Sequence, residues 1–124
     1  MKTTLKALTL VAGTFFAGSA FSADLVCDVY PKGNGNAWGN GTKSCFGFDF
    51  SFGSSTSGRF YLKNVTKPIQ EVRWSGAARC GTSSTSCGVT VRAYSSTTAS
   101  ALILYKDGTW EQTNTARASY ETGH

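Results

Sequence analysis

The chain has little of what enzyme chemistry usually needs. Its 124 residues include one histidine, at the last position, and seven acidic residues without a cluster. One terminal imidazole, His124, cannot complete a Ser-His-Asp or Cys-His arrangement. No D-x-D-x-D-like run offers the grouped oxygens that calcium takes. The stretch GNGNAWG over 33–39 is glycine-rich, but it lacks the G-x-G-x-x-G spacing and a helix to follow it. Among Asp24, Asp28, Asp49, Glu71, Asp107, Glu111 and Glu121, no spacing singles out the facing pair that a glycan hydrolase would use. No catalytic residue, metal ligand or cofactor is therefore assigned. Proline is scarce too, with two residues, and no apolar run reaches the roughly 18 residues of a membrane-spanning helix. Apolar residues nowhere recur at helical spacing beyond the N-terminal segment.

That segment, MKTTLKALTLVAGTFFAGSAFSAD, has Lys2 and Lys6 ahead of an apolar run from Ala7 to Ala17 and an A-x-S pattern at Ala20, Phe21 and Ser22. This is the layout of a secretory signal peptide, 1–22, cleaved near Ser22 and Ala23. Its short, lysine-led form suits a bacterial periplasmic or secreted protein. The remainder, 23–124, is about 100 residues and fits one domain. Loss of Lys2 and Lys6 lowers the net charge from +5 to +3. The other basic residues stand singly, so no nucleic-acid arm is expected.

What is present begins with four cysteines, Cys27, Cys45, Cys80 and Cys87. Export places them where thiols pair, and neither zinc-knuckle nor C-x-x-C spacing occurs. Three pairings are possible. Local closure, Cys27 with Cys45 and Cys80 with Cys87, is favoured because GTSSTS can turn back within disulfide reach. The alternative joins Cys45 to Cys87 across two sheets.

Period-two alternation dominates the rest. Strands are expected at DLVCDVY (24–30), CFGFDFSFG (45–53), RFYLKNV (59–65), IQEVRWS (69–75), CGVTVRAYS (87–95), ASALILYK (99–106), TWEQT (109–113) and TARASYE (115–121). A long irregular loop is expected over 31–43, and Asp107-Gly108 marks a two-residue hairpin turn. Phe46, Phe48, Phe50 and Phe52 share one face of their strand. They are expected to form the core, with an exposed aromatic binding strip as the alternative. Seven to eight short strands without a helix point to an all-β, disulfide-stapled, antiparallel sandwich of immunoglobulin-like type, or else to a small β-barrel.

For function, the expectation is an exported, non-enzymatic binding module. It would contact envelope polysaccharide or another exported protein through loops at one end. Trp38, flanked by Asn36 and Asn40, offers an indole face among amides, which suits a sugar ring or a protein anchor; the alternative is that Trp38 folds back as a cap. Trp110, just past the hairpin turn, extends the candidate set. A second reading makes the protein an inhibitor of a hydrolase through the stapled loop RCGTSSTSC, with Arg79 as its anchor. The sequence leaves the oligomeric state open.

Overall fold

A computed structural model describes residues 22–123. The predicted signal peptide apart from Ser22, and His124, lie outside the described residues. Those described form nine strands and no helix: β1 (Asp24–Tyr30), β2 (Asn36–Trp38), β3 (Ser44–Asp49), β4 (Ser55–Lys63), β5 (Ile69–Gly76), β6 (Ser86–Arg92), β7 (Ser96–Tyr105), β8 (Trp110–Gln112) and β9 (Ala116–Thr122). No helix among them is long and apolar enough to cross a membrane.

The strands make two sheets in a sandwich-like arrangement. One has the order β1-β4-β6 and is antiparallel throughout. The other runs β2-β3-β9-β7-β5, with β8 pairing β7 beyond the end of β9. Expected as antiparallel, this sheet contains one parallel pair, β3 with β9. Five strands, β4 to β8, lie between the two in the chain, so this parallel pair is made without a crossover helix. Regular pairing also intrudes on the loop expected over 31–43, because Asn36, Ala37 and Trp38 lie opposite Phe48, Gly47 and Phe46. The turn at Asp107-Gly108 is a three-residue loop, 106–108, in place of the two-residue turn expected: Tyr105 N–H donates to the Thr109 carbonyl and Gly108 N–H to the Tyr105 carbonyl, and Gly108 alone of the three takes a positive φ, +89°.

Both local disulfides are present, Cys27–Cys45 and Cys80–Cys87, and no described cysteine is free. They are compatible with an oxidising, extracellular-type compartment. Cys27–Cys45 ties β1 to β3 and so fastens the two sheets together.

The core lies between the sheets. Leu25, Val29, Phe60, Val91, Ile103 and Tyr120 are fully buried, against alanines at 99, 101, 116 and 118. The expectation that four phenylalanines form this core is overturned. Phe46 and Phe48 are half-buried, while Phe50 and Phe52 are 70% and 61% exposed. Cys45 must face inward to reach Cys27, and side chains on a strand alternate faces. Gly47 and Asp49 therefore go in with Cys45, and the rings go out. Gly47 is required there, since a Cβ would stand 2.7 Å from a Val29 methyl group.

The edges are treated unequally. Along the free edge of β1, the Asn40 and Asn114 side-chain amides each donate to and accept from the backbone of Val29 and Leu25. Between them, Cys27 N–H donates to the Thr42 carbonyl and Gly41 N–H to the Cys27 carbonyl. The exposed row of backbone groups that invites another strand is thus sealed.

Candidate binding surface

The outer face of the larger sheet carries an aromatic strip. It arises because β2 and β3 pair Trp38 with Phe46 and Asn36 with Phe48, placing those side chains on one face. The Trp38 and Phe46 rings lie 5.5 Å apart, tilted by 30°, and Trp38 is 53% exposed. Farther along, Phe48 and Phe50 meet edge to face at 4.9 Å. Gly123 seats both rings, since a Cβ there would lie 2.5 Å from Phe50 and 3.1 Å from Phe48. On the far side of β3 the register sets Ser119 beside Phe46 and Glu121 beside Phe48. The strip is therefore a narrow rail of rings with polar borders. At its Phe50 end lies a cleft of about 260 Å³ lined by Lys32, Gly33, Asn34 and Ser51.

Asp49, behind the rail, fixes its geometry. The carboxylate is fully buried and accepts from Lys32 N–H at 2.8 Å, Ser51 N–H at 2.9 Å, the Ser51 hydroxyl at 2.7 Å and the Tyr120 hydroxyl at 2.7 Å. Thr122 Oγ1 approaches at 3.3 Å. Burial alone would raise its pKa, but the hydrogen bonds from Lys32, Ser51 and Tyr120 prevail and hold it well below the usual carboxylate range. Gly123 N–H also donates to the Asp49 carbonyl, at 2.7 Å. One residue thus anchors the chain on both sides of the Phe50 ring and the glycine beneath it.

The sequence-predicted residues are not all brought together. Asn36 and Trp38 belong to the rail. Asn40 spends its amide on Val29, as an edge clamp of β1. Trp110, on β8 and 47% exposed, shares the outer face of the sheet but pairs with Leu104 of β7, under the Arg73 guanidinium at 5.3 Å. From Ser96, which shares a row with Phe46 through Ser119, to Leu104 is a step on the order of 26 Å at about 3.3 Å per residue. Trp110 borders a separate cleft of about 630 Å³ with Lys67, Tyr105 and Glu111. Arg79 belongs to neither, and lines a groove with Ala77, Cys80, Gly88 and Thr90 beside the Cys80–Cys87 loop.

That loop does not stand free. Its carbonyls at Thr82, Ser84 and Thr85 accept from Val72 N–H, Trp74 Nε1 and Leu62 N–H, which lays it against β4 and β5. Phe46, Phe48 and Phe50 are the site residues that the sequence reading placed elsewhere. The signal that locates them is the adjacency of Cys45 and Phe46: if one faces the core, the other cannot.

Among the described residues no three His, Cys, Asp or Glu side chains converge as a metal site would require. A second polar cluster, on the outer face of the smaller sheet, gathers around Asp28. Its carboxylate accepts from Arg59 Nε, from the Tyr30 and Tyr61 hydroxyls, each at 3.2 Å, and from Gly41 N–H at 3.0 Å. Its acceptors are occupied by the fold.

Comparison of the chain with protein-family models, with curated proteins and with solved structures finds no match.

Proposed function

We propose that this protein is a non-enzymatic, exported binding module whose ligand lies along the aromatic rail, and that the ligand is an extended glycan of the cell envelope. The observation carrying this reading is the outward placement of Trp38, Phe46, Phe48 and Phe50 on a sheet face, bordered by Asn36, Ser119 and Glu121. Aromatic faces supply stacking area, and neighbouring amides, hydroxyls and carboxylates supply hydrogen bonds to ring hydroxyls. A rail one strand pair wide suits a chain-like ligand better than the broad apolar centre of a stable protein interface. The contact surface is thus the sheet face, in place of end loops.

The strand order supports an immunoglobulin-like reading of the sandwich. The N-terminal strands β1 and β3 are divided between the two sheets, and the last strand, β9, pairs with β3 and β7.

The test is retention of the oxidised protein on a panel of envelope polysaccharides, by affinity electrophoresis, with Trp38→Ala and Phe50→Ala beside it. Retention on a glycan, weakened at least about tenfold by either substitution, is the expected result. Retention unaffected by both would overturn the assignment of the rail. Capture of one exported protein, lost with the same substitutions and with no glycan retained, would replace the glycan with a protein ligand.

A further inference from the structure

We infer that the free edge of β6 receives an extended, acidic segment of another protein, which adds to the smaller sheet as a fourth strand. This site lies on a different sheet from the aromatic rail and does not depend on it.

The argument starts from backbone parity. Leu62 N–H donates to Thr85 just before the β4-β6 ladder, and Ala93 N–H donates to Ser54 just after it. Hydrogen-bonded and non-hydrogen-bonded pairs alternate along an antiparallel ladder. With the observed register, Cys87, Val89 and Val91 therefore turn their backbone groups to β4, and Gly88 and Thr90 turn theirs outward. β6 is the last strand of its sheet, and among the described residues nothing pairs with the Gly88 or Thr90 N–H. At β1, the opposite edge of the same sheet, every corresponding position is closed by Asn40, Asn114 or the backbone at 41–42.

Space and charge then select the occupant. A groove of about 560 Å³ runs along this edge, lined by Ser57, Ala77, Arg79, Cys80, Gly88 and Thr90 among others. Gly88 leaves it unobstructed, since a Cβ there would meet nothing within 4 Å. The groove's shape is held by the Cys80–Cys87 bond and by the anchoring of the loop on β4 and β5. β4, β6 and the loop between Ala77 and Thr85 contain no Asp or Glu but carry Arg59, Lys63, Arg79 and Arg92. Arg79 and Arg92 are exposed and form no ion pair among the described residues. The nearest acid across the sheet, Asp28, is already committed to Arg59. An incoming strand gains main-chain hydrogen bonds from the edge and attraction from the arginines. A second copy of this chain would set one arginine-bearing edge against another.

The probe is a seven-residue peptide, acetylated and amidated, alternating valine with glutamate, titrated into the oxidised protein and followed by amide chemical shifts and hydrogen exchange. Saturable binding should protect the Gly88 and Thr90 amides. It should weaken at least about tenfold when lysine replaces glutamate, and vanish when alternate peptide nitrogens are methylated. Thr90→Pro, which removes an outward N–H while sparing the β4 ladder, should abolish it; the methylated peptide gives the same answer should that variant not fold. Equal affinity for the glutamate and lysine peptides, or shifts that leave Gly88 and Thr90 unmoved, would overturn the proposal. A dimer seen by sedimentation and dissolved by Thr90→Pro would also overturn it, by showing a second copy in the groove.

Discussion

Two neighbouring substitutions test the inversion of β3 directly: Phe48→Ser and Asp49→Asn. A core phenylalanine is worth about 3–5 kcal/mol when truncated, whereas an outward, half-buried ring held by one edge-to-face contact is worth about 1–2 kcal/mol. Phe48 is of the second kind. Asp49 accepts from Lys32, Ser51 and Tyr120 in a fully buried site. An amide there keeps one acceptor oxygen and turns an NH2 group toward existing donors. With at least two groups left unsatisfied at about 1–3 kcal/mol each, the loss should be about 3–5 kcal/mol. That is a large part of the roughly 5–15 kcal/mol available to a domain of this size. Urea unfolding of the oxidised proteins reads the difference as a large shift in midpoint for Asp49→Asn and a small one for Phe48→Ser. Acid adds a second readout. Because the folded pKa of Asp49 lies below its unfolded value of about 3.9, its stabilisation is complete above that value and is lost as pH falls toward the folded one. The gap between wild type and Asp49→Asn should therefore narrow in acid. A Phe48→Ser protein that fails to fold, beside an Asp49→Asn protein that unfolds like wild type, would refute the outward placement of the rings.

Asn40→Ala and Asn114→Ala should each cost about 1–2 kcal/mol and speed amide exchange at Val29 and Leu25 respectively; unchanged exchange would contradict the edge clamps. Replacing Cys80 and Cys87 with serine should cost about 2–3 kcal/mol on the chain-entropy model for this short loop. It should also expose the Val72 and Leu62 amides, and full protection of both would show that the loop is held without its disulfide.

Much of the fold is legible in the sequence because alternation is a local signal. Phe60 inward beside Arg59, Val72 and Trp74 inward beside Arg73, and Ala118 and Tyr120 inward beside Ser119 all follow from period two and side-chain character. The cysteine pairs follow from loop length. At β3 the same reasoning assigns the wrong face, because hydrophobicity favours the rings while only long-range closure can favour Cys45, Gly47 and Asp49. The bond to Cys27, the approach of Val29 and the hydroxyl of Tyr120 come from other parts of the chain. The parallel pairing of β3 and β9 is non-local for the same reason. Asn40 and Asn114 read as ordinary loop residues until β1 lies beside them.

The alanines of the core bear on why the rings face outward. The larger sheet turns Ala99, Ala101, Ala116 and Ala118 inward, and these small side chains leave room for Leu25, Phe60 and Tyr120 between the sheets. Turning Phe46 and Phe48 inward as well would overfill that space, at a typical cost of about 1–3 kcal/mol, and would carry Asp49 into solvent and away from its five donors. The packing therefore explains why the rings are not inside, but it does not require them to be rings. Serine or threonine at 48 and 50 would satisfy the same backbone and the same Asp49 network, with less apolar surface in water. An aromatic strip that contributes little to the core calls for a contact outside it. That is why the electrophoresis of Trp38→Ala and Phe50→Ala carries more weight for function than any measurement of stability.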